Sequence, residues 1–245
     1  MRRRRRRSLL VALLLVAVAI GVTLSRAGGP PAEVPATTQG RVGHGGGAGA
    51  HAAPTAYPSA GAGRFTAADG GTPVQGTDGP LHRYRVAVER GAGQDVAAFA
   101  ATVDEVLADP RSWIGSEELR VQRVAEAAAA DFTIYLATPV TSERMCAEGG
   151  LSTEGYTSCR LPGRVVINLA RWLEAVPDYG APLETYRRYV VNHEVGHEFG
   201  EQHEACPGPG EPAPVMQQQT YGLEGCVANA WPYLDGHRYA GDLVP

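Results

Sequence analysis

A chain of 245 residues with 44% hydrophobic content can bury one medium-sized core, while 31 glycines and 18 prolines leave room for unstructured chain, above all in the Gly- and Pro-dense stretch Gly28 to Ala62. The net charge is −4, but residues 1–27 hold seven arginines and no acid, so the remainder carries 15 basic and 26 acidic residues, net −11. That acidity excludes a nucleic-acid partner, because phosphate binding needs a positive surface.

In chain order, Arg2 to Arg7 form a cationic block ahead of an apolar run from Leu9 to Leu24, the layout of a targeting segment. The run lies near the lower limit of the roughly 17–25 residues that span a bilayer. Residues 1–27 therefore read as a membrane anchor that places the rest outside the cytoplasm. The alternative is a signal peptide cleaved after Ser25 to Ala27, with secretion. Residues 28–80 read as a disordered linker with no apolar periodicity. His44 and His51 lie on it, but a flexible segment lacks the preorganisation a specific metal site needs.

Order is expected from Leu81, giving a folded domain over 81–245. Tyr84, Val86 and Val88 alternate as in a half-buried strand at Arg83–Glu89. Val96, Phe99, Val103, Val106 and Leu107 recur at helical spacing, and Asp109-Pro110 stops that helix. Trp113 and Ile114 are expected against its end. Further strands are predicted at Leu119–Val124, Phe132–Ala137 and Arg164–Asn168, with the alanines at 127–130 open to a helical reading. A helix starting at about Leu183 carries Tyr186, Val190, Val191, Val195 and Phe199 on its apolar face, with Arg187 and Arg188 turned outward.

That helix runs into His193-Glu194-Val195-Gly196-His197-Glu198-Phe199-Gly200-Glu201-Gln202-His203. Residues four apart lie one turn above each other, so His193 and His197 can offer imidazoles to one metal ion, with Glu194 on the same rim. Gly200, which can take φ > 0, ends the helix and turns His203 back as a third ligand. Three nitrogens on Zn²⁺ leave a fourth position for water, and a carboxylate beside it serves as general base. The sequence thus nominates His193, His197 and His203 as metal ligands and Glu194 as the catalytic residue. Cys206, three residues past His203, is the nearby residue that could close a structural zinc site instead.

The stretch HEVGHEFGEQH resembles the extended HExxHxxGxxH motif of metzincin zinc metallopeptidases at every fixed position. Pro214-Val215-Met216 is similar to their methionine turn, which puts Met216 beneath the metal as an apolar floor. With RVVINLARW, PAPVMQQQT and NAWP, residues 81–245 also resemble an uncharacterised actinobacterial family of exported metzincin-like proteins, a domain of unknown function. The resemblance implies an α/β fold: a mixed twisted sheet, an active-site helix and an irregular C-terminal subdomain. It also implies hydrolysis of a protein or peptide substrate. Two features depart from better-known metzincins or stay open. Several of those place a tyrosine two residues after the turn methionine, where this chain has Gln218 and then Tyr221. The resemblance further implies an edge strand that holds substrate, with Arg164–Asn168 the candidate by position, though it reads equally as a core strand.

Cys146, Cys159, Cys206 and Cys226 form an even set outside the cytoplasm, expected as Cys146–Cys159 and Cys206–Cys226 because each pairing closes a short loop. Two other functions stay open: a cell-surface zinc protein without turnover, and a hydrolase of cell-wall peptide amides.

Overall fold

The structure, a computed structural model, describes residues 57–244. The arginine block, the apolar run, His44 and His51 lie outside the described residues. Strand β1 (Phe65–Ala67) pairs antiparallel with the far half of β2 (Leu81–Glu89), Phe65 opposite Glu89. Residues 57–80, expected as linker, are therefore part of the fold. A three-residue strand has no periodicity to read, and its partner lies about twenty residues on. Helix α1 (Val96–Ala108) is capped by Asp95, whose side chain accepts from the Ala98 N–H at 2.7 Å. Strand β3 (Arg120–Arg123) then pairs with the near half of β2. The alanine run closes only a short 3₁₀ turn, Ala127–Ala129.

Strand β4 (Phe132–Ala137) lies parallel to β2, helix α2 (Pro139–Ala147) follows, and strands β5 (Cys159–Leu161) and β6 (Arg164–Asn168) complete a mixed sheet of order β1-β2-β4-β6-β5. Strand β6 pairs with β4 on one side and β5 on the other, so it is interior. Of the two readings of Arg164–Asn168, the core strand holds and the substrate edge does not: the edge is β5, too short to show alternation.

Side chains alternate across this sheet. Tyr84, Val86, Val88, Ile134, Leu136, Val165 and Ile167 point to one face and pack with Phe99, Val103 and Leu107 of α1. Tyr135, Ala137 and Val166 point to the other, against Met145 and Cys146 of α2. A short helix α3 (Leu169–Glu174) leads to α4 (Leu183–Glu198), which lies on the α1 face with Tyr186, Tyr189, Val190, Val191 and Val195 buried. The chain beyond α4 is irregular apart from a hairpin of β7 (Tyr233–Leu234) and β8 (His237–Arg238). Disulfides join Cys146 to Cys159 and Cys206 to Cys226, as expected from spacing. The first ties α2 to edge strand β5; together they point to an oxidising, extracytoplasmic location. Among the described residues no helix is long and apolar enough to cross a membrane.

Candidate metal centre

Helix α4 ends at a motif that builds the site. Gly200 has φ +98°, its N–H bonds the His197 carbonyl at 3.2 Å, and the Glu201 N–H reaches back to the Gly196 carbonyl at 3.0 Å. These two bonds satisfy the last carbonyls of the helix and reverse the chain. The reversal aims the Glu201 carbonyl at His197 Nδ1, 2.9 Å away. A carbonyl only accepts, so Nδ1 carries the proton and Nε2 keeps a free lone pair. His193 is fixed the same way, Nδ1 donating to the Val215 carbonyl at 2.9 Å.

His203 follows the reversal. The neighbouring Glu204 N–H donates to the Met216 carbonyl at 3.1 Å, and Arg238 grips the Glu204 carboxylate at 2.7 Å and that of Glu201 at 3.3 Å. One donor atom from each of His193, His197 and His203 lies within 4.8 Å of the others. His197 Nε2 and His203 Nε2 are 3.1 Å apart. Two nitrogens each about 2.0–2.1 Å from one tetrahedral ion stand roughly 3.3 Å apart, so this spacing suits a shared metal. Burial, helped by its two histidine neighbours, pushes His193 down to about 3; burial also lowers His197 and His203. Neutral imidazole is the form that binds a metal. The donor set fits a metal ion that takes imidazole nitrogens, with both helical histidines oriented by carbonyls behind them.

The described residues add no further His, Cys, Asp or Glu to this group. Cys206, the candidate for closing it, is bonded to Cys226. Glu194 is buried one residue after His193, and its burial drives the carboxyl up to about 8. It lines the same cleft as the three histidines, a space of about 510 Å³. Edge strand β5 forms one wall through Cys159 and Arg160, and Gln218 and Tyr221 form another.

Below the histidines lies Met216, fully buried. A Cβ on Gly196 would come within 2.6 Å of its sulfur and of Trp113 Cζ2. The glycine between the two helical ligands thus lets the methionine approach the helix backbone. Trp113 in turn donates from Nε1 to the Asn192 carbonyl at 2.9 Å, so the predicted packing at the end of α1 reaches the metal helix. Residues 52–234 match the family model described as "Protein of unknown function (DUF3152)". The chain belongs to the DUF3152 family. The match covers β1 to β7, and so the three histidines, Glu194 and Met216 of the DUF3152 domain. No curated protein and no solved structure matches the chain.

Three supports of the site lay outside the sequence reading. Tyr189, one turn before His193, rests its ring 5.3 Å from that imidazole and donates its hydroxyl to the Gln217 carbonyl at 3.1 Å. Its spacing of four from His193 was the available signal. Arg160 on β5 pairs with Glu198 of α4 at 2.6 Å, tying the edge strand to the metal helix. The Arg238 clamp on Glu204 joins segments 34 residues apart, which no local pattern announces.

Proposed function

We propose that this protein is a zinc-dependent, metzincin-type peptidase acting outside the cytoplasm. The observation that carries the reading is Glu194, buried in one cleft with three imidazoles whose Nδ1 atoms or backbone neighbours are held by carbonyls. His193, His197 and His203 would hold a zinc ion, whose positive charge would activate water, polarise a carbonyl and favour the ionised form of Glu194. The chain's own residues do the rest. Glu194 takes the proton of the attacking water and delivers it to the departing amine, so the amide C–N bond breaks without a covalent intermediate. Burial keeps the carboxyl basic enough for that exchange near neutral pH. Strand β5 offers an unpaired backbone edge along the cleft, suited to an extended peptide. Met216 and Gly196 keep the floor dry and the ligand helix rigid. Residues 1–27 hold the domain at the membrane, or release it if they are cleaved.

The test compares zinc content and peptide-library digestion for wild type, Glu194→Gln and His197→Ala. Glu194→Gln is expected to keep its zinc and lose at least about 10²–10⁴-fold in turnover. His197→Ala is expected to lose both. Equal digestion by wild type and Glu194→Gln refutes the mechanism, and a zinc-loaded wild type that cleaves no peptide favours a binding protein without turnover.

A further inference from the structure

Strand β5 is an edge strand, and its register decides which of its residues is open. The Gly163 carbonyl accepts from the Thr133 N–H at 3.0 Å, so Val165, two residues on, also turns its backbone groups toward β4. Arg164 and Val166 turn theirs the other way, toward their partners Leu161 and Cys159. Arg160 stands opposite Val165, between those two bonded pairs. Its N–H and C=O are therefore left on the free edge, and it is the one residue of β5 so placed.

Side chains alternate in step. Cys159 and Leu161 pack on the α2 side of the sheet, whereas Val165 belongs to the core under α4, so Arg160 opposite it points to the metal face. There Nε bonds the Glu198 carboxylate at 2.6 Å, and among the described residues the two Nη groups have no hydrogen-bond partner. A guanidinium has five N–H donors, so four stay open. The side chain is 29% exposed and lines the cleft with the three histidines, so a ligand in the cleft reaches it with nothing moved aside. Histidines apart, the other charged residues of that lining are Glu194 and Glu201, and Arg238 already takes Glu201 at 3.3 Å. Arg160 is also fixed in advance, because Cys159 beside it is bonded to Cys146 and the Pro162-Gly163 turn follows it closely.

We propose that Arg160 reads an aspartate or glutamate of the substrate, so that the cleft selects peptides with an acidic residue paired to this one position of β5. This rests on the peptidase reading for its substrate class. A peptide added antiparallel to β5 sets one residue directly opposite Arg160, exchanging both backbone bonds with it at a Cα separation of about 5.5 Å. The side chain of that residue falls on the same face as the guanidinium, and opposite charges across such a pair attract. The open Nη groups donate to the carboxylate while Nε keeps Glu198. Because the chain beyond residue 27 is net −11, approach of an acidic peptide is slowed, and the preference is one of equilibrium affinity.

The experiment titrates full-length, zinc-loaded Glu194→Gln protein with N-acetylated peptide pools, randomised over uncharged residues except at one central position. Three pools are amidated at the C-terminus and hold Gln, Glu or Lys there; a fourth holds Gln and has a free C-terminus. The Glu pool is expected to bind tighter than the amidated Gln pool by about tenfold or more, and the Lys pool no tighter than Gln. The readout is the ratio of affinities, which a smaller folded fraction leaves unchanged. Replacing Arg160 alone would strand the Glu198 carboxylate, so Arg160→Gln and Glu198→Gln are introduced together, and the ratio should fall to unity. Arg160→Lys, which keeps the charge without the fork, should retain part of the preference. A ratio of unity at the outset, a ratio that survives the double change, or tight binding of the free C-terminus pool in place of the Glu pool overturns the proposal. Wild type that cleaves peptides without favouring Glu removes this subsite and leaves the peptidase reading standing. Wild type that binds the Glu pool through Arg160 but cleaves none does the reverse.

Discussion

Gly196 and Met216 are in contact across the floor of the metal centre: a Cβ on the glycine would lie 2.6 Å from the methionine sulfur. The helix that carries His193 and His197 is therefore set against the methionine segment at backbone range. Val215 on that segment also orients His193. One close approach holds both the ligand helix and the carbonyl behind it.

Gly196→Ala is expected to destabilise the fold by about 1–3 kcal/mol, the usual range for overpacking a filled core. Met216 is flexible enough to move, but Trp113 Cζ2 stands at the same 2.6 Å and is pinned by its bond to Asn192. Zinc affinity should fall with stability, since the helix must shift away from Val215. Urea denaturation with and without zinc checks both, and unchanged midpoints would show that the floor is loose.

Gly200→Ala tests the other glycine by a different route. A Cβ there would meet nothing within 4 Å beyond its chain neighbours, so space is not at issue; φ +98° is. Alanine there should cost about 1–3 kcal/mol of backbone strain. The Glu201 carbonyl would lose its aim at His197 Nδ1. Losing such a support typically costs about 10–100-fold in metal affinity. Competition with a zinc chelator measures it, and wild-type affinity in Gly200→Ala would remove the turn from the account.

What the sequence revealed followed from local spacing. The ligands of α4 with its glycine stop, and the two members of each cysteine pair, lie within about twenty residues of one another, so periodicity and loop length suffice. Helix α2 escaped because its buried face is only half apolar: Thr141 and Ser142 are buried beside Met145 and Cys146, and the Thr141 hydroxyl, like that of Thr138 ahead of it, turns to Glu89. Glu89 itself was read only as the end of a strand, yet it is 2% exposed. Its partners Gly63, Thr138 and Thr141 lie 26 to 52 residues away. Burying a carboxylate without a cation leaves no hydrophobic pattern to detect.

Glu89 gives the fold an acid limit. Burial alone would raise its carboxyl, but donors from Thr141, Thr138 and Gly63 outweigh this and hold it below the usual 4.5. A depressed folded pKa contributes stability above the unfolded value that is lost as pH falls through the folded one. Glu89→Gln should lower stability by about 1–3 kcal/mol at neutral pH, because an amide nitrogen would face N–H donors. It should also flatten the loss below pH 4.5. Thermal melts across pH 3–7 decide this, and parallel curves for the two proteins would contradict it.

The Cys206–Cys226 bridge encloses Met216 and starts three residues after His203. Closing a loop with a sequence separation of 20 restricts the unfolded chain by about 3 kcal/mol on the entropic model. Replacing both cysteines by serine is expected to lower stability by that order and to speed zinc release, since the segment bearing the floor and the Val215 carbonyl is freed. Chelator-driven release at equal rates in both proteins would separate the bridge from the metal site.

Glu194 carries the opposite sign to Glu89 and gives the sharpest test of the site. With burial raising its carboxyl to about 8, the metal-free fold holds it protonated at neutral pH. A raised folded pKa means the group costs nothing below the unfolded value of 4.5; stability then declines as pH rises from there toward about 8, where the carboxyl ionises in place. Glutamine has no proton to lose, so in chelator-treated protein Glu194→Gln should match wild type near pH 4.5 and become progressively more stable than it as pH rises. The gap at pH 8–9 should reach roughly several kcal/mol, a size consistent with one buried, unpaired carboxylate. Zinc should narrow that gap, because positive charge beside the carboxylate compensates its burial. Melting curves of both proteins from pH 4.5 to 9, with zinc and with chelator, supply the four series needed. A gap that stays constant with pH, or that zinc leaves untouched, would place Glu194 away from the metal and remove it as the base.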